Sequence, residues 1–129
     1  MVRIFLLSCF LIVVLGSAGC RSMKTITCDT SDPVNSLPWL KSMVAEMEKA
    51  GADNKDAEIT QHTYYNRIVF YVQSRCCDRP NELYDCDGNK ICEPDGGITG
   101  KGDGKCEDFF EKREGNTLIW PRRTRKFAP

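Results

Sequence analysis

The chain has 129 residues, with 18 basic and 18 acidic side chains, one histidine and eight cysteines. Balanced charge gives no global polarity for nucleic acid, and the length confines the fold to a single domain. The first element is an export signal over 1–19, where Arg3 is the only charge before residue 21 and Ile4–Leu15 is almost wholly apolar. A basic start and so short an apolar core direct secretion and are too short to span a bilayer.

The signal runs into "LGSAGC", Leu15 to Cys20, which resembles a bacterial lipobox with Cys20 as the lipid-bearing residue. Ser17 departs from that pattern, which usually has leucine there; ordinary cleavage after Ala18 is the alternative and would leave Cys20 a plain thiol. Cys9 leaves with the signal and a lipidated Cys20 cannot pair. Cys28, Cys76, Cys77, Cys86, Cys92 and Cys106 then remain, an even number that implies a disulfide framework in an exported chain. The tail, residues 122–129, opens with "RRTRK", four positive charges in five residues on an otherwise mildly acidic body. Such a tail is solvated or touches anionic headgroups.

Residues 20–35 read as a polar tether, residues 36–121 as one domain. "SLPWLKSMVAEMEKAG" predicts a helix capped by Ser36, with Pro38 in its first turn and Gly51 at its close. Leu37, Leu40, Met43, Val44 and Met47 form its apolar stripe, and Trp39 adjoins it. The period then changes to two. Glu58–Tyr64 and Arg67–Gln73 predict strands turning at Asn66, with Ile68, Phe70 and Val72 on one face and Val69 and Tyr71 on the other. "ELYDCDGNKIC" continues the meander through a hairpin at Asp87-Gly88, with Cys86 on its strand, and Asn116–Pro121 adds a last strand. The fold class is α+β, one helix packed on a small antiparallel meander.

"GNKICEPDGGITGKGDGKC", Gly88 to Cys106, carries six glycines. It fails as a phosphate loop, because Asp95 stands where the first glycine is needed and Gly102 replaces the magnesium-binding hydroxyl after Gly100-Lys101. It fails as an EF-hand, because Lys90 takes the place of the sixth-position glycine and Gly96 that of the twelfth-position glutamate. A lone calcium pair of Asp95 and Asp103 lacks the tandem repeats such glycine motifs use. Zinc would need more than His62 and exported cysteines. His62 reads as a strand residue without a catalytic partner. What is left is an irregular loop pinned by Cys92 and Cys106, offering Asp95, Thr99, Lys101 and Asp103 as a binding surface. No cofactor, metal or small-molecule substrate is expected.

The run "CCD…LYDCDGNKICEPDGGITGKGDGKCEDFF", Cys76 to Phe110, resembles a family of small exported bacterial lipoproteins recorded as a domain of unknown function. Helix-then-hairpin order gives a looser similarity to PepSY-like domains. The resemblance implies that Cys28 and Cys86, which look like additions to the family pattern, pair with each other. Cys76 and Cys77 would then take Cys92 and Cys106 in either order. The expected function is a membrane-anchored, non-catalytic binding or structural module of the cell envelope, in the outer membrane of a Gram-negative cell, with a protein partner. The alternatives are an inhibitor or accessory subunit of an exported enzyme, and a thiol-disulfide protein working through Cys76 and Cys77.

Overall fold

The computed structural model describes residues 28–51, 57–74 and 78–121. The expected export signal, Cys20, Cys76, Cys77 and the basic tail lie outside the described residues.

Helix α1 (Pro33–Ser36) is a single turn, and α2 (Pro38–Ala50) runs 13 residues. Leu37 between them is extended, with φ −109° and ψ 107°, because Pro38 disfavours helical backbone in the residue before it. The helix expected from Ser36 is therefore interrupted at Leu37. Ser36 does not cap it; its hydroxyl donates to the Asp32 carbonyl at 2.9 Å. At the other end Gly51 closes α2 with φ +56°, as expected.

Strands β1 (Glu58–Tyr64) and β2 (Arg67–Gln73) join through Tyr65-Asn66, both with positive φ, the two-residue turn that matches strand twist. They are followed by β3 (Pro80–Tyr84), β4 (Lys90–Gly96), the short helix α3 (Phe109–Lys112) and β5 (Glu114–Trp120). The sheet is antiparallel, in the order β4-β3-β2-β1-β5. The last strand starts at Glu114, two residues before the expected Asn116, and pairs beside β1. Cys86 lies in the turn after β3, not on a strand. That turn is organised by Asp85, whose carboxylate accepts from the amides of Asp87 and Asn89 at 3.0 and 2.8 Å.

The two-residue period sorts the sheet into two faces. On one, Leu37, Leu40 and Val44 meet Ile59, Phe70, Val72 and Ile119. Each fully buried side chain of that size contributes about 1.5–3 kcal/mol. Trp39 seals the start of α2. Its ring stacks on Tyr84 at 5.6 Å and meets Phe70 edge-on at 5.5 Å, and its indole N–H donates to the Cys86 carbonyl at 2.9 Å. Gly88 lies so close that a Cβ there would sit 2.6 Å from the indole. On the other face Val69, Tyr71, Leu83 and Cys92 are covered by Cys106 and Phe109. That cover exists because the chain must cross from the β4 edge to the β5 edge. Both edges are interrupted by register shifts, and Pro94 sits on β4. Irregular, proline-bearing edges blunt pairing with other chains.

Candidate functional site

The glycine loop leaves β4 and returns under a disulfide. Cys92 and Cys106 are bonded, with Cα atoms 6.1 Å apart, and Cys28 and Cys86 are bonded at 5.7 Å. The Cys28–Cys86 pair is the one expected. The Cys92–Cys106 bond overturns the assignment of those two residues to Cys76 and Cys77. Both sulfurs lie on the covered face of the sheet, where the crossing chain brings Cys106 back over β4.

Inside the staple the backbone is cross-tied. Gly96 and Lys101 form a parallel bridge, the Gly100 amide donates to Gly97 O at 3.1 Å, and the Gly102 amide donates to Gly96 O at 3.2 Å. The Asp103 amide donates to Glu93 O at 2.9 Å. Gly102, at φ +61°, lies against the Glu93 carbonyl so closely that a Cβ would fall 1.7 Å from its oxygen. This brings Ile98 to the tip with 90 % of its surface exposed, beside Thr99 and Lys101.

The four residues expected to form a surface separate into two groups. Thr99 and Lys101 are exposed at the tip, and the Lys101 ammonium pairs with no carboxylate among the described residues. Asp95 turns the other way. Its carboxylate accepts from the Tyr71 hydroxyl at 2.8 Å and the Asn81 amide at 3.1 Å, and Asn81 in turn accepts from the Ser74 amide. Burial and that carboxylate raise the Tyr71 pKa above the usual phenol range. Asp103 binds the Lys105 amide at 3.1 Å and its ammonium at 3.5 Å, contacts that outweigh desolvation and hold the carboxyl below its ordinary value. Asp95 and Asp103 therefore serve different partners. No group of three metal-binding side chains comes together among the described residues.

His62 is buried opposite an irregularity in β5. Its Nδ1–H donates to the Gly115 carbonyl at 2.6 Å, which leaves Nε2 to accept from the Thr60 hydroxyl at 3.0 Å. Burial first, and the Arg113 charge second, depress its pKa against the opposing effect of the Gly115 carbonyl. The unfolded chain then binds a proton that the folded one refuses. Stability is full above about pH 6.5 and falls as pH drops through the lower folded value. We expect the urea midpoint of the wild-type domain to fall between pH 7.5 and 5.5, with a His62→Gln variant less stable but flatter over that window. Equal slopes would remove His62 from the account.

One cluster has no counterpart in the expectations. Asp108, just before α3, accepts from Tyr64 at 2.7 Å and from the exposed Tyr65 hydroxyl. Those two phenols hold its carboxyl low, and burial together with Asp108 raises Tyr64 to about 12. The pair latches the crossing chain to the β1–β2 turn, seating Phe109 against Tyr64, Tyr71 and His62 at 5.4–5.7 Å. Sequence spacing carried no sign of it. Ile98 did leave a sign, as the one large apolar residue among the glycines.

A hollow of about 390 Å³ opens between the later turns of α2 and the start of β3, lined by Met43, Met47, Val72, Arg79 and Pro80. It adjoins the loop, since the Gly97 amide donates to Arg79 O at 3.1 Å. No curated protein and no solved structure matches the chain. Residues 45–122, more than half of the sequence, match the family described as Domain of unknown function (DUF6970), a span that takes in the sheet, the disulfide-closed loop and the latch. The chain belongs to that family.

Proposed function

We propose that the protein is an exported, membrane-anchored, non-catalytic binding module of the cell envelope. Its lipid is on Cys20, and its binding element is the loop from Gly96 to Gly104. The observation that carries this reading is the exposed Ile98 on a loop tied by a disulfide and five backbone hydrogen bonds. A preordered loop loses little entropy on binding, and the scaffold beneath it spends its polar groups on itself. The single histidine has both nitrogens occupied, which favours a structural role over a catalytic one. The anchor rests on the basic, apolar and small-residue order before Cys20. Replacing Cys20 by serine should move the full chain from the detergent phase to the aqueous phase on phase partitioning. Wild type already in the aqueous phase would end the lipoprotein reading.

The same loop suits an inhibitor or accessory subunit of an exported enzyme. A pull-down with Gly96–Gly104 replaced by a short linker tests whether the loop is the contact. The thiol-disulfide reading draws on one observation, that Cys92 and Cys106 are bonded to each other and so are not available to Cys76 and Cys77. A thiol count on protein purified without reductant decides it.

A further inference from the structure

We propose that the Ile98 tip is a finger that enters an apolar socket on an envelope protein, and that the fold presents it from the end of the domain away from the bilayer. The inference rests on the reading of Cys20 as the lipid carrier.

The Cys28–Cys86 bond sets where the tether leaves the domain. Cys28 is bonded to Cys86, in the turn that ends β3. Chain freedom between lipid and domain is thus limited to the eight steps from Cys20 to Cys28, at most about 29 Å when fully extended. The expected tether to residue 35 is shorter by the part that follows the disulfide. The same end of the sheet carries the β1–β2 turn, because Cys86 Sγ contacts the Ile68 carbonyl and Ile68 pairs with Thr63. Tyr65, 62 % exposed, stands at that turn.

The finger is at the other end. Gly96 pairs with Pro80 at the start of β3, and Gly97 bonds Arg79, so β3 and its flanks separate the tip from Cys86 by about 20 Å. A tether attached at one end of a rigid strand leaves the opposite end to reach outward. The composition of the tip agrees. A bilayer-seeking loop would carry several large apolar or basic residues, whereas Ile98 is flanked by Gly97, Thr99 and Gly100, with Lys101 as its one charge. One apolar anchor beside an ammonium that pairs with no carboxylate among the described residues fits a socket with an acidic rim on a folded partner. The neighbouring hollow widens the contact toward Arg79.

The test uses the full lipidated chain with a photoreactive benzophenone side chain at position 98 or at position 65, irradiated in membranes of producing cells. Position 98 should give a protein adduct of discrete mass, and position 65 a lipid adduct. Excess soluble Cys20→Ser chain should reduce the protein adduct about fivefold or more, and the same chain with Ile98→Asp should not. Ile98 is exposed, so that change leaves the core intact. Lipid adducts at position 98 matching those at 65, no protein adduct, or an adduct the soluble chain fails to displace would each overturn the proposal. Failure of the wild-type chain to float with phosphatidylethanolamine–phosphatidylglycerol vesicles would overturn the anchor and with it the outward presentation. The competition result would still decide the socket.

Discussion

Replacing Gly102 by alanine should destabilise the domain by at least about 3 kcal/mol, a drop of roughly 12–24 °C in melting temperature for a domain of this size. Two effects add. At φ +61° an L side chain is strained wherever it points, and here the Cβ would lie 1.7 Å from the Glu93 oxygen and 2.8 Å from the Asp95 amide. Neither neighbour is a side-chain end that can swing aside; both are backbone of β4. Relief would require opening the Asp103–Glu93 and Gly102–Gly96 hydrogen bonds that seat the loop. Gly100, at φ +72° with open space around it, is the internal control. Its alanine variant bears the backbone strain alone, about 1–2 kcal/mol. Chemical denaturation of both variants measures the difference. A Gly102→Ala variant within 1 kcal/mol of wild type would show that the loop is not seated as described.

The second large effect belongs to the Cys28–Cys86 staple. It closes a separation of 58 residues, which in a chain-entropy treatment contributes about 4 kcal/mol, against about 3 kcal/mol for the 14-residue separation of Cys92 and Cys106. Cys28 also packs in the core, 5 % exposed, so a double change to serine adds polar groups where sulfur was buried. The double variant should unfold at markedly lower denaturant. Because Trp39 independently ties α2 to the same turn through Cys86 O and Gly88, the sheet should survive the change. A stability loss below about 1 kcal/mol would mean that Trp39 alone holds this end.

The parts of the fold that were legible are those set by local period. Ile68, Phe70 and Val72 do face the helix, while Val69 and Tyr71 face the crossing chain, because strand alternation is a property of neighbouring residues. The helix stripe was readable for the same reason, and the break at Leu37 follows from Pro38 alone. What depended on the path across the sheet was not legible. Cys92 and Cys106 are joined because the chain from β4 doubles back over its own strand, and spacing alone gave no reason to prefer that over bonds to Cys76 and Cys77. Asp95 looked like a surface oxygen donor until the register set it over Tyr71 and Asn81. Thr99 and Lys101 were found at the tip, but the residue with the largest exposed apolar surface there is Ile98, which a search for polar chemistry passes over.

The place of β5 beside β1 has a consequence for how the chain acquires its structure. The four earlier strands form a meander whose contacts are local, but Thr60 and Leu118 pair across 58 residues. Closing so distant a contact is slow compared with forming hairpins, because the loop entropy is lost before the pairing is gained. Until β5 arrives, β1 is a bare edge whose backbone groups are open to any passing strand. Because the chain is made from its N-terminus, that exposure lasts until residues 114–120 have emerged. The interval between the first hairpin and the last strand is therefore when this protein is most open to aggregation, and when a chaperone would have most to protect.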